Sequence, residues 1–186
     1  MIAPTKSGKP IVITAGHDNN RQGATANHPA YGPFTEHIIA TECRDKLASL
    51  LRAKGIEVLT DGAGTENWVL SRAAKLAEQG VIAVEIHCNA FSNSAVAGVE
   101  TLSGAKDFRL GKALCEAISS ALGIPNRGAK PENAGQHDSL AFVRAGGLVL
   151  ELFFLSNPRD LERYLLNQDK VIQSIAEVIE AEYQRR

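Results

Sequence analysis

Short apolar runs alternate with longer amphipathic stretches from residue 10 to the end of the chain. Ile11-Val12-Ile13 is a buried run of strand length, and the chain turns directly after it at Ala15-Gly16-His17. Residues 17–34 are polar, with glycines and prolines, and read as one long loop of the kind that carries function. Over 35–54, Ile39, Cys43, Leu47, Leu50 and Leu51 recur at helical spacing, whereas Arg44, Asp45, Lys46 and Arg52 lie off that stripe. Gly55 ends this helix. The pattern then predicts a strand over 56–59, a helix over 66–79, and strands over 81–87 and 98–102. Leu110, Leu114, Ala117, Ile118 and Ala121 mark an amphipathic helix over 106–122, stopped by Gly123. Two further apolar runs, 140–143 and 148–153, read as strands. Asn157-Pro158 then has the chemistry of a helix start, with asparagine as cap and proline in the first position. Val171, Ile172, Ile175, Val178 and Ile179 set the inner stripe of a last helix over 168–184.

This alternation predicts an α/β fold: a single-domain, open, twisted and mostly parallel sheet of about six strands with helices on both faces. The 186 residues suit one domain spanning 1–186, with a flexible lead-in at 1–9. The formal net charge of −1 provides no global basic field, which excludes nucleic acid as a partner class. No window approaches the roughly 18 apolar residues of a membrane span. The N-terminal stretch shows neither the apolar core nor the small-residue cleavage pattern of a signal peptide. Three widely spaced cysteines, Cys43, Cys88 and Cys115, point to reduced thiols rather than a disulfide framework, and no CxxC pair is present.

The informative residues are the ionisable ones at strand ends. Glu151 has three apolar residues before it and four after it. A carboxylate in such a strand needs a partner, a metal or a raised pKa, because desolvating it unpaired costs several kcal/mol. His87 closes the run VIAVEIH, and Glu85 shares its face of the strand while Cys88 points the other way. Alone, His87 reads equally as a hydrogen-bonded histidine at a strand end. Glu36 opens the first long helix, where an acidic residue simply complements the helix dipole. His17, like His87, ends a strand at the carboxyl edge, where open α/β sheets bind ligands. Together, His17, Glu36 and His87 make a two-imidazole, one-carboxylate set with an open fourth position, the usual donor set of catalytic zinc. Glu151 lies along the same edge and suits a general base and acid beside it.

At these residues the chain resembles the zinc-dependent N-acetylmuramoyl-L-alanine amidases of the type-3 family. The resemblance runs through Ala15-Gly16-His17, Gly23-Ala24, Glu36, Arg72, Ile86-His87-Cys88-Asn89-Ala90, the Gly-Val-Glu-Thr strand over 98–101, Glu151, and Phe154-Leu155-Ser156-Asn157. It covers roughly residues 10–183. It implies Zn2+ on His17, Glu36 and His87, with Glu151 catalytic. The implied reaction is cleavage of the amide between N-acetylmuramic acid and L-alanine in peptidoglycan, by a catalytic-only, endolysin-like monomer. The expected location is the cytoplasm until release to the wall, or export by a route the sequence does not reveal. Two positions depart from the family pattern. His17 is followed by Asp18-Asn19-Asn20 rather than glycines, and Glu85 stands where a small polar residue is usual. Glu85 could orient a ligand from behind, or pair with Arg72 or Lys75.

Asn89 and Arg144 are weaker substrate-binding candidates, each with a structural alternative. His137 reads as a loop residue, and His28 and His37 as solvent-exposed. Alternative functions are a zinc peptidase or amidohydrolase of the same fold acting on another amide, or a non-catalytic wall-binding module. The latter should lack at least one of the four site residues. A thiol hydrolase is disfavoured, because Cys88 faces away from His87.

Overall fold

The computed structural model describes residues 8–134 and 139–186. Residues 1–7 of the expected lead-in, and His137, lie outside the described residues. Eight strands are present: β1 (Ile11–Ala15), β2 (Thr25–His28), β3 (Gly32–Thr35), β4 (Val58–Thr60), β5 (Ile82–Asn89), β6 (Val99–Ser103), β7 (Asn126–Pro131) and β8 (Leu148–Phe154). The α-helices are α1 (Glu36–Ala53), α2 (Leu70–Ala77), α3 (Phe108–Leu122), α4 (Ala141–Arg144) and α5 (Pro158–Arg185).

Six strands form one sheet in the order β4-β1-β5-β8-β6-β7, and β2-β3 is a separate hairpin. All neighbours in the large sheet are parallel except β6 and β8. The expected six-stranded, mostly parallel sheet is therefore present, but one of its members differs from expectation. The run 140–143 is a single turn of helix, α4, not a strand. A four-residue apolar run has the same pattern in either conformation. Here β8 already pairs with β5 on one side and β6 on the other, leaving no slot for another strand. The sixth strand is β7, whose sequence NRGAKP has no apolar alternation. An edge strand can form on such a sequence, because only one side pairs. Residues 17–34 are likewise not all loop, since they contain the β2-β3 hairpin.

Strand alternation divides the core into two unequal layers. Ile11, Ile13, Val84, Ile86, Leu148, Leu150 and Leu152 face α1, α3 and α5 in the larger one. Val12, Ala83, Leu102 and Val149 face the other way, against Leu76 and Ala77 of α2 and Phe142 and Val143 of α4. The helices thus lie on both faces, as the βα alternation predicts. Thr35 caps α1 by accepting from the Ile38 N–H, and Asn157 caps α5 by accepting from Arg159 and Asp160, with Pro158 first in the helix. Asn167 leaves helical geometry within α5, where φ is −126°, so the expected separate helix near 168 is a continuation across a kink. No helix among the described residues is long and apolar enough to cross a membrane.

Candidate active site

Glu85, His87, Glu100 and Glu151 belong to the same sheet face as Val12, Ala83, Leu102 and Val149, but lie toward the end that α2 and α4 leave open. Register places His87 beside Glu151 across β5-β8, and Glu151 beside Glu100 across β8-β6. A cavity of about 940 Å³ opens over this row.

His17, Glu36 and His87 converge at one wall. Each offers one ligand atom, and the three atoms lie within 4.8 Å of one another. Glu36 Oε2 is 3.1 Å from His17 Nε2, and Glu36 Oε1 is 2.8 Å from His87 Nδ1. The two imidazoles meet edge-on, with ring centroids 5.2 Å apart. Backbone donors hold Glu36 from both sides: Ala24 N–H donates to Oε2 at 2.9 Å and Cys88 N–H to Oε1 at 3.0 Å.

Local chain geometry explains the small residues around this cluster. A Cβ on Gly16 would enter the His87 ring, and a Cβ on Gly23 would enter Glu36 and His17. Gly23 also has φ of +70°, which glycine adopts without the penalty paid by other residues. His17 itself has φ of +66°, a conformation uncommon for a residue with a side chain. Asn67 fixes it by donating from Nδ2 to the carbonyls of Ala15 at 2.6 Å and His17 at 2.5 Å. Asn67 is held in turn by Arg44, whose Nη1 donates to Asn67 Oδ1 at 2.9 Å and whose Nη2 donates to the Gly64 carbonyl.

Arg44 corrects the sequence expectation. It lies off the apolar stripe of α1, yet it is fully buried. Its charge is matched by Asp45 and Asp61, and Asp61 also accepts from the Ala15 N–H. Ala40 and Ala48, one turn to either side and both buried, leave room for it. His28 and His37 are buried too, not exposed. His37 Nε2 contacts the Thr65 carbonyl at 2.9 Å, and His28 packs on Tyr31 with ring centroids 4.9 Å apart.

Glu85 is 3.1 Å from His87 Nε2 through its Oε2. It pairs with neither Arg72 nor Lys75, and Arg72 instead lies 3.6 Å above the Trp68 ring. The His87 ring is therefore bracketed, with Nδ1 toward the cluster and Nε2 toward Glu85. Burial alone would lower the His87 pKa, but the bonds to Glu36 and Glu85 outweigh it and hold the pKa well above the usual value. For Glu36, burial works upward and is outweighed by the bonds to His17 and His87, which hold the carboxyl well below the usual range.

Glu151 behaves differently. Its Oε2 is sealed from solvent and has no hydrogen-bond partner among the described residues. Burial pushes its pKa up to about 7; the charge on His87 opposes the rise, while Glu36 and Glu100 add to it. Cys88 beside it is buried with its thiol pushed well up by desolvation, which removes a thiolate nucleophile from the wall of the cavity.

Asn89 lines the cavity and donates from Nδ2 to Glu100 Oε1 at 3.0 Å. Arg144 is exposed on α4 and does not line the cavity. Among the cavity residues that escaped sequence reasoning are Arg127 and Lys130. Both are on β7, the strand with no periodic signal.

The profile of the N-acetylmuramoyl-L-alanine amidase family, type 3, matches residues 11–181 of the chain. The chain belongs to this amidase family. Its fold superimposes on a Neisseria meningitidis protein assigned as an N-acetylmuramoyl-L-alanine amidase, with TM-score 0.84, 38% identity, and coverage of 94% of this chain and 95% of that one. The catalytic domain of the amidase CwlV from Paenibacillus polymyxa matches with TM-score 0.76 and 25% identity, over 92% of this chain and 96% of that one. The catalytic domain of the CD27L endolysin, which targets Clostridium difficile, shares the fold at TM-score 0.70 and 20% identity, over 93% of this chain and 97% of that one. No curated protein sequence matches the chain. The three-donor cluster could hold a divalent metal ion, and the buried carboxylate beside it could move a proton.

Proposed function

We propose that the chain is a zinc-dependent hydrolase that cleaves the amide between N-acetylmuramic acid and L-alanine in peptidoglycan. The observation that carries this reading is the buried, unpartnered Oε2 of Glu151 in the strand next to His87. His17, Glu36 and His87 would hold the zinc. The donor set fits: two imidazoles and one carboxylate, with both glycine cradles leaving the cluster open where a Cβ would fill it. Zinc supplies Lewis-acid polarisation of the scissile carbonyl and acidification of water.

The chain's own groups do the rest. Glu85 Oε2 faces Nε2 of His87 and would accept its proton when the metal is held through Nδ1. Asn67 holds the left-handed turn that presents His17. Glu151, with a pKa of about 7, gives up and takes back a proton near neutral pH. It removes the proton of the attacking water and delivers it to the nitrogen of the departing alanine.

The test is zinc content together with new L-alanine amino termini released from purified peptidoglycan, for wild type and Glu151→Ala. Near one zinc per chain in both proteins, with new termini from wild type alone, is the expected result. Zinc in both without new L-alanine termini would move the chemistry to another amide. Absence of zinc from both would remove the ligand assignment.

A further inference from the structure

The row His87, Glu151, Glu100 does not stop at the catalytic carboxylate. Glu100 is 4% exposed and accepts from three donors. Its Oε2 receives Arg127 Nε at 2.6 Å and Lys130 Nζ at 2.7 Å, and its Oε1 receives Asn89 Nδ2. Two cations thus face one carboxylate, and the group carries a net positive charge. The pairing holds the Glu100 carboxyl below its usual pKa in spite of burial, so the carboxylate stays ionised and keeps both cations in place.

Arg127 commits only its Nε to Glu100. Its two terminal nitrogens have no hydrogen-bond partner among the described residues. The guanidinium lies 4.9 Å from the centre of the Phe154 ring, which fixes its plane. The side chains of Arg127 and Lys130 remain 34% and 27% exposed, and both line the cavity. They are the lysine and arginine side chains of its described lining, whose carboxyl groups are Glu36, Glu85, Glu100, Glu132 and Glu151. Away from the His17-Glu36-His87 wall, they are the cationic side chains that an anionic ligand would meet in the described lining.

We propose that Arg127 and Lys130, anchored by Glu100, form a subsite for a carboxylate on the leaving peptide of the substrate. This rests on the amidase reading. In that reading the scissile carbonyl sits at the His17-Glu36-His87 wall and the departing amine at Glu151, so the peptide continues toward β6 and β7. Neighbouring strands are about 4.8 Å apart, which places Glu100 roughly 5 Å from the Glu151 strand and roughly 10 Å from the His87 strand. An extended peptide advances about 3.5 Å per residue. A free carboxylate one to two residues beyond the cleaved bond therefore reaches the Arg127 fork, whose planar nitrogens bind it in the bidentate manner that a lysine cannot reproduce.

The experiment compares kcat/KM of the zinc-loaded protein on two muramoyl peptides. They are identical except that the carboxylate one residue beyond the alanine is free in one and a primary amide in the other. Wild type is expected to favour the free acid by about tenfold to a hundredfold, mostly through KM, as for a charge-assisted pair. Arg127→Ala should bring the ratio close to one. Arg127→Lys, which keeps the charge but loses the fork, should fall between them, and Lys130→Ala should lower the ratio partway. A wild-type ratio near one, with both peptides cleaved, would overturn the subsite and leave the amidase reading intact. A ratio unchanged in Arg127→Ala would overturn the assignment to Arg127. Cleavage of neither peptide by wild type would overturn the amidase reading and the subsite with it.

Discussion

The two faces of the central sheet are made by alternate residues of the same strands, yet they have opposite fates. One face meets three long helices, of 18, 15 and 28 residues, and its positions on β1, β5 and β8 are apolar. The other meets helices of eight and four residues, which cover it only in part. The uncovered end collects His87, Glu85, Glu151 and Glu100. Where cover is complete, an ionisable residue in a strand would be a desolvated charge with no partner. Where cover is missing, the same strands can hold charges that pair with one another or await a ligand. The cavity is therefore a consequence of short helices as much as of polar residues.

Neighbouring residues on β8 give the sharpest separation of the two faces. Glu151→Gln keeps the shape of the open face and removes the proposed proton acceptor. Its turnover should fall by about 10²- to 10⁴-fold while the zinc content stays unchanged, measured by kinetics beside metal analysis. The same variant has a signature in the zinc-free protein. The folded-state pKa of Glu151 is raised to about 7 from an ordinary 4.5, so the folded chain keeps a proton that the unfolded chain releases. Stability from this group is complete below the unfolded value and is lost as pH rises through about 7, a decline of about 3 kcal/mol. The glutamine variant lacks this decline. Denaturant melts of the zinc-free proteins at pH 5 and pH 8 should show it gaining on wild type at the higher pH. An equal pH response in both proteins would mean that Glu151 is not desolvated.

Leu150, one residue earlier, is fully buried on the closed face. Leu150→Ala should cost about 2–5 kcal/mol in a denaturant melt and leave zinc affinity of the folded protein close to wild type. A large loss of zinc affinity there would break the division of labour between the faces. A smaller effect is expected from Glu85→Ala, which frees the Nε2 side of His87. Zinc affinity should weaken by about tenfold to a hundredfold in a competition titration, and Glu85→Gln, which retains an accepting oxygen, should recover part of it. Smallest of all is Arg144→Ala. Its side chain is exposed outside the cavity, so stability should move by no more than about 0.5 kcal/mol and kcat/KM should stay near wild type.

Much of this architecture was legible because burial leaves a periodic trace. The long helices announce themselves through 3.6-residue stripes and through end signals such as Asn157 and Gly123, and the central strands through continuous apolar runs. His17, Glu36, His87 and Glu151 stood out as ionisable residues at strand or helix ends, and the family resemblance joined them. The structure brings all four to one cavity. What left no trace was set by contacts distant in sequence. Strand β7 is polar because it is an edge, and α4 is helical because β8 already has two neighbours. Arg44 looks like a surface charge until the 61–67 segment folds over it, and His28 and His37 are buried only by loops packed on them. By itself, the sequence determined the alternating layers and the closed core, since both depend on local periodicity, and it singled out His17, Glu36, His87 and Glu151 as candidates through their side-chain chemistry and the family resemblance. Tertiary structure alone decided which imidazole nitrogen faces the cluster, that Asn67 holds the His17 turn, and that Arg127 and Lys130 stand beside Glu100, because those are distances between residues 27 to 51 apart in the chain and no local pattern encodes them.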